Sequence, residues 1–288
     1  QIAELVEIAQ PLLGVVTSIG ESHLELLGSV ENIARAKGEL VAGLPKNGTA
    51  ILNEDDAVTR DLSALAPGRV LTFGLSPEAN VRGTNLRMDG GGMTFSVSTP
   101  ERTVEARLRT WGRHNVMNAL AAAATAIALD VELEVAVRGL EKFAPPKMRL
   151  QPVRLGDVLL INDAYNASPA SMRAAFEVLL ALGTSRRRLA VLGEMRELGE
   201  ASETLHRDVG IAAAGAAELL ITVGAGARTI AQGAIDAGVT PGHVHHTETT
   251  DEASAVLKTV MRPGDVILIK GSRALEMERI VEALQRES

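Results

Sequence analysis

Short apolar runs recur along the chain, each ending in a polar loop and followed by a helix-like segment. This alternation restricts the fold to layered α/β architecture with mostly parallel strands. "LLGVVTSIG" (12–20) is a buried strand running into a polar loop, and a helix opened by Ser29 follows it. "GTAILNEDD" (48–56) is the next strand, with Asp55 and Asp56 opening another helix, and "RVLTFG" (69–74) is a third. Residues 81–108, "VRGTNLRMDGGGMTFSVSTPERTVEARL", alternate apolar and polar positions around Gly90-Gly91-Gly92, which predicts an antiparallel hairpin or meander. "GRHNVMNALAAAATAIALD" (112–130) and "ELEVAVRGLEKF" (132–143) read as helices.

Two adjacent prolines in "APPKMRLQP" (144–152) break the helical pattern and mark a linker. A fresh βα series follows, with apolar strands at "DVLLIND", "RRLAVLGE", "ELLITVG", "HVHHT" and "DVILIKG". That is a doubly wound sheet of its own. The expected organisation is two domains, 1–147 and 148–288, with the boundary near Met148. A length of 288 residues, more than one core usually absorbs, agrees with this.

Composition narrows the function classes. Aromatic residues make up 2%, so the cores must be built from Ala, Val, Leu and Ile. The absence of cysteine excludes disulfides and thiolate zinc sites. A net charge of −7 argues against a general nucleic-acid or anionic-membrane surface, while leaving room for a local basic pocket that binds phosphate. No apolar run reaches the ~18–20 residues that span a bilayer. No signal peptide is visible, and without an initiator Met the true N-terminus is expected to be missing. A soluble, cytoplasmic protein is expected, with neither nucleic acid nor membrane as partner.

Polar clusters end four of the strands, at Ser18–His23, Asn162–Ser168, Gly193–Arg196 and Lys270–Arg273. Open α/β sheets bind ligands beyond the carboxyl ends of their strands, so the clusters point to a cleft between the two domains. Lys37 lies on the apolar stripe Val30, Ile33, Leu40, Val41 of the helix capped by Ser29. Either its stem snorkels to water, or burial leaves a neutral amine that adds carbon dioxide to give a carbamate, an oxygen ligand for Mg²⁺. His23 is a loop cap on the first reading and holds a second metal position on the other.

Further candidates carry similar pairs of readings. Gly112 allows close approach before its helix; Asn115 is a helix cap or a contact to a nucleotide base, with Asn118 one turn on. Asp163 closes an Asx turn or accepts from ribose hydroxyls. Ser168-Pro169 starts a helix with Pro at its first position. Arg149 is a solvated linker residue or a phosphate clamp. Lys270, Ser272 and Arg273 form an anion site at a helix N-terminus, or Ser272 is a plain N-cap. "LPKNGTA" lacks the G-x-x-x-x-G-K-[ST] spacing, and "VGAGART" has Thr229 where a dinucleotide fingerprint needs its third glycine. No Walker A loop occurs in the sequence.

Together "TSIGESHLE", "ARAKGEL", "GRHNVMNALAA", "PPKMRLQ", "INDAYNASPASM", "LGEMRELGEASETLH" and "IKGSRALEME" resemble the Mur ligases, in family order and along the whole chain. The nearest resemblance is to the branch that joins D-alanyl-D-alanine to UDP-N-acetylmuramoyl-tripeptide in peptidoglycan synthesis. The resemblance implies the later part of a central ATP-binding domain followed by a complete Rossmann-like C-terminal domain. It also implies that an N-terminal domain, the Walker A loop and a metal-binding acidic residue precede Gln1, so that this chain alone does not hydrolyse ATP. By the same resemblance the full enzyme is an ATP- and Mg²⁺-dependent ligase working through an acyl phosphate; a monomer is expected. Lys37 is then the carbamylated lysine and His23 a metal-site residue, both catalytic. Asn115 with Asn118 would meet adenine, Arg149 the phosphates and Asp163 the ribose. Tyr165, Asn166, Lys270, Ser272 and Arg273 would bind substrate. Ser18, Ser168 and Glu194 depart from the family's Asn, Asn and Asp. Another Mur-type ligase, a folylpolyglutamate-type ligase, or a non-catalytic module of the same fold would share most of these features; "DAYNASP" argues against the tripeptide-forming enzymes.

Overall fold

In a computed structural model the chain forms two compact units, Gln1–Ala144 and Pro145–Ser288. The structure describes residues 1–20 and 28–286. His23 therefore lies outside the described residues.

The first unit is built on a six-stranded sheet: β1 (Leu13–Val16), β2 (Thr49–Asn53), β3 (Arg69–Gly74), β4 (Val81–Asp89), β5 (Gly92–Ser98) and β6 (Thr103–Leu108), side by side in chain order. Strands β1 to β4 pair in parallel, and β4, β5 and β6 form the expected antiparallel meander. Among the described residues its α-helices are α1 (Ile2–Ala9), α2 (Val30–Ala42), α3 (Ala57–Asp61), α4 (Arg113–Ala128) and α5 (Leu133–Glu141).

Every side chain of β2 is buried because both faces of the sheet are covered. Ala50 and Leu52 join Val16, Ile33 and Val41 under α2. Ile51, Phe73, Phe95 and Val97 pack with Val116, Leu120 and Ala124 of α4 on the other face. The alanines of α4 permit a close approach to the sheet; a Cβ on Gly83 would lie 2.9 Å from Leu120. Gly112 stands at the N-cap of α4 with φ 94°, a left-handed backbone that favours glycine. Asn115 is consequently inside the helix, which corrects its reading as a cap.

The second unit holds β7 (Gln151–Leu155), β8 (Val158–Asp163), β9 (Arg188–Gly193), β10 (Leu219–Val223), β11 (Val244–Thr247) and β12 (Val266–Lys270). Their order is β11-β10-β9-β12-β8-β7, parallel except for β7 against β8. Around the sheet lie α6 (Pro169–Leu182), α7 (Ser202–Ala214), α8 (Ala227–Asp236), α9 (Thr250–Val260) and α10 (Glu278–Gln285). The Ser168-Pro169 start of α6 is as read, strengthened by a reciprocal capping box with Ser171.

Strand β7 corrects the linker reading at its end. Gln151 and Pro152 are the first residues of an antiparallel edge strand, where a proline without an N–H is tolerated. The second correction concerns residues 270–273. No α-helix begins there; a short 3-10 turn, Arg273–Leu275, intervenes, Ser272 caps it without a side-chain bond, and α10 starts only at Glu278. The helix N-terminus read as an anion site is therefore absent. Among the described residues no helix is long and apolar enough to cross a membrane.

Candidate functional site

In the first unit, Ser29 accepts from the Asn32 N–H and fixes the start of α2, so the helix presents Lys37 toward the loop after β1. Lys37 is half-buried, and its Nζ donates to the Ser18 carbonyl at 2.7 Å. Burial holds its ammonium below the usual lysine range, with the Asp56 carboxylate pulling the other way. Asp56 is itself fixed: one oxygen accepts from Ile19 N at 2.7 Å and Thr59 Oγ1 at 2.8 Å, the other caps α3. Its neighbour Asp55 accepts from Leu75 N and Ser76 N, both at 2.8 Å.

The structure does not bring Lys37 and Asn115 together, since α2 and α4 cover opposite faces of the sheet. Asn115 turns its amide nitrogen back onto its own turn, donating to Trp111 O at 2.7 Å and Thr110 Oγ1 at 3.2 Å. Asn118 is exposed one turn on. Among the described residues no three His, Cys, Asp or Glu side chains converge as a metal cluster. A carbamate on the half-buried Lys37 amine would be an oxygen donor of the kind a hard cation takes.

The second unit gathers five of the sequence candidates at the carboxyl ends of β8 and β12, which are neighbours. Lys270 is 3% exposed. Its Nζ donates to Asp163 Oδ2 at 2.6 Å and to the Asn166 carbonyl at 3.0 Å. The other Asp163 oxygen accepts from Leu150 N at 3.0 Å. The Tyr165 N–H donates to Met148 O at 3.1 Å, and the Arg149 guanidinium carbon lies 4.0 Å over the centre of the exposed Tyr165 ring. The Asx-type contact next door belongs to Asn162, which accepts from Ala164 N, and not to Asp163.

Ser272 and Arg273 are engaged differently. Buried Ser272 accepts from the Arg196 N–H at 2.9 Å, and Arg273 pairs with Glu278.

The sequence reading missed what Glu194 and His206 do here. Glu194 Oε2 accepts from Gly226 N at 2.8 Å at the start of α8, and its Oε1 pairs with Arg196 at 2.6 Å. A carboxylate thus occupies the helix end where a dinucleotide fingerprint would place pyrophosphate, which explains physically why "VGAGART" is not one. His206 is 2% exposed, accepts from Met195 N through Nε2 at 2.9 Å and meets Ser202 O through Nδ1 at 2.7 Å. Its position in a helical, mostly polar segment gave no sign of this.

Comparison with known proteins adds a consistent pattern. Residues 1–126 match the Mur ligase middle domain, and residues 148–273 match the domain described as Mur ligase, glutamate ligase domain. The chain is 35% identical over 292 residues to UDP-N-acetylmuramoyl-tripeptide–D-alanyl-D-alanine ligase of Escherichia coli K12, covering 99% of this chain and 62% of that protein. It is 36% identical over 295 residues to the ligase of the same name from Synechocystis, covering 100% of this chain and 61% of that protein. The crystal structure of MurF from Acinetobacter baumannii superposes with a TM-score of 0.89 at 31% identity, over 99% of this chain and 62% of that one. The chain thus spans less than two thirds of the length of these relatives.

Proposed function

The chain belongs to the Mur ligase family, and from that premise we propose that it is part of a cytoplasmic, monomeric, ATP-dependent ligase that joins D-alanyl-D-alanine to UDP-N-acetylmuramoyl-tripeptide. The observation that carries the reading is the match to ligases of that name along 99% of the chain. The residues then take the following roles.

The reaction is amide formation through an activated carboxylate. The γ-phosphoryl group of ATP passes to the tripeptide's terminal carboxylate, giving an acyl phosphate and ADP. The amine of D-alanyl-D-alanine attacks the acyl carbon, phosphate leaves, and the amine gives up a proton. In this scheme Arg149 meets the phosphates; its guanidinium, steadied on the Tyr165 ring, is a planar cation suited to them. Asp163 offers its carboxylate toward ribose hydroxyls. Asn115 meets the base by its carbonyl edge, since its amide nitrogen is engaged within the chain. Asn118, Tyr165, Asn166 and Arg273 are exposed and would meet nucleotide or peptide, whereas buried Ser272 would act behind them through the Arg196 N–H it accepts. The lowered proton affinity of Lys37 fits a carbamylated side chain, which together with His23 would hold Mg²⁺. Mg²⁺ when bound supplies charge neutralisation between phosphate and carboxylate.

The test is ATP-dependent phosphate release with UDP-muramoyl-tripeptide and D-alanyl-D-alanine. It is run on this chain and on a form extended at its N-terminus with the corresponding part of the Escherichia coli relative, each with and without Lys37→Ala. Activity in the extended form only, lost with Lys37→Ala, supports the reading. A folded extended form that is silent with these substrates overturns it, and the sister ligases' substrates are then tried.

A further inference from the structure

Arg149 sits between two residues in left-handed backbone, Met148 at φ 59° and Leu150 at φ 50°. Neither is glycine, and such a conformation persists in bulky residues only where surrounding bonds over-determine it. Three bonds do so here. Leu150 N is held by Asp163, Met148 O by Tyr165 N, and Met148 N donates to Gln151 Oε1 at 3.1 Å.

Two of these anchors converge on one side chain. Lys270 grips Asp163 by its carboxylate and the Asn166 carbonyl next to Tyr165. It does so from the end of β12, 107 residues along the chain from Asp163. At 3% exposure its ammonium is enclosed by groups of the protein, so it is badly placed to meet a ligand directly.

We propose that Lys270 is a positioning residue: acting through Asp163 and the 163–166 turn, it sets the 148–150 turn and with it the stacking of Arg149 on Tyr165. This rests on the reading of Arg149 as the phosphate-binding residue only for its consequence in the reaction. The structural coupling stands apart from it. An unpaired Asp163 would turn to solvent or to the nearest N–H, the left-handed pair would relax, and Arg149 would lose its fixed direction.

The chain contains a single tyrosine, Tyr165, so labelling with 3-fluorotyrosine gives one ¹⁹F environment to read. Arg149→Ala defines the shift produced by losing the stacked guanidinium. Lys270→Met is expected to move the resonance in the same direction, although Lys270 does not touch the ring, and to add nothing in the Arg149→Ala background. Asp163→Asn, which keeps the side-chain shape, is expected to do the same. An unmoved resonance in folded Lys270→Met, or shifts that add in the double variant, overturns the inference. Should Lys270→Met fail to fold, Asp163→Asn and the charge-keeping Lys270→Arg decide it: a shift in the first with recovery in the second supports it, and no shift in the first overturns it. In the extended ligase, Lys270→Met is expected to lower kcat/KM for ATP about tenfold, with no further loss from Arg149→Ala, as for coupled neighbours. If that ligase keeps its activity in Arg149→Ala while the spectra still couple, the phosphate role of Arg149 fails and the positioning role of Lys270 stands.

Discussion

Lys37 Nζ donates to the main-chain carbonyl of Ser18 at 2.7 Å, which ties the inner face of α2 to the loop leaving β1. The bond holds the amine in a place where burial disfavours its charge. The sign follows from linkage. A lysine that binds its proton less tightly when folded opposes folding at low pH, and this penalty fades as pH rises toward the ordinary lysine range. The same shift enlarges the neutral, nucleophilic fraction at any pH below that range.

Carbon-13 NMR with labelled bicarbonate is therefore expected to show a carbamate signal that Lys37→Ala abolishes. At constant dissolved carbon dioxide the signal should grow as pH is raised from neutral toward the ordinary lysine range. A signal that survives Lys37→Ala, or one that falls over that interval, would place the modification elsewhere.

The cap at Ser29 controls the same helix. Ser29→Ala removes the acceptor for Asn32 N and is expected to cost about 1 kcal/mol. In a unit of this size that is a fall of roughly 3–4 °C in the midpoint of thermal unfolding. Ser29→Asp, which can still accept, should recover most of it.

Arg187 and Asp265 form a two-point pair, Nε to Oδ1 at 2.9 Å and Nη2 to Oδ2 at 2.8 Å, and the Asp265 side chain is 2% exposed. The carboxylate beside it pushes the Arg187 guanidinium above its ordinary range. Asp265 also accepts from Arg262 N at 2.8 Å. Arg187→Met leaves that buried carboxylate without its cation and is expected to cost about 3–5 kcal/mol, read as a lowered urea midpoint. A loss below about 1 kcal/mol would mean that Arg262 N and water suffice.

Glu194→Gln keeps the size of the side chain and removes the charge that faces the start of α8 and Arg196. The expected loss is about 1 kcal/mol, the sum of a helix-end interaction and a partly exposed ion pair, checked by urea unfolding at unchanged slope.

Elements announced by local chemistry are legible in the amino-acid sequence. Ser29, Asp56 and Ser168-Pro169 mark helix starts by hydrogen bonds to their own chain, and "RVLTFG" coincides with β3 because a mostly apolar run between turns leaves little choice. Features that depend on distant residues are not legible in this way. Asn115 has the chemistry of a cap, but Gly112 with its positive φ opens the helix one turn earlier. Strand β7 carries a proline at its second position and pairs along one edge, with β8, so no local rule distinguishes it from linker. Asp163 and Lys270 each stand out as polar residues ending strands. Their pairing, and the withdrawal of Lys270 from solvent, follow from β12 entering the sheet beside β8, which neither segment encodes by itself.

That strand order bears on how the second unit is made. β12 sits between β8 and β9, yet it is synthesised after β9, β10 and β11. While the chain emerges from the ribosome, β8 and β9 have no shared edge and their inner backbone groups face water. The half-sheet of β9, β10 and β11 can zip up early and the β7–β8 hairpin is local, but the two are joined only once β12 arrives between them. The interval before β12 arrives is when this unit is most open to pairing with the wrong strand, from another molecule or its own.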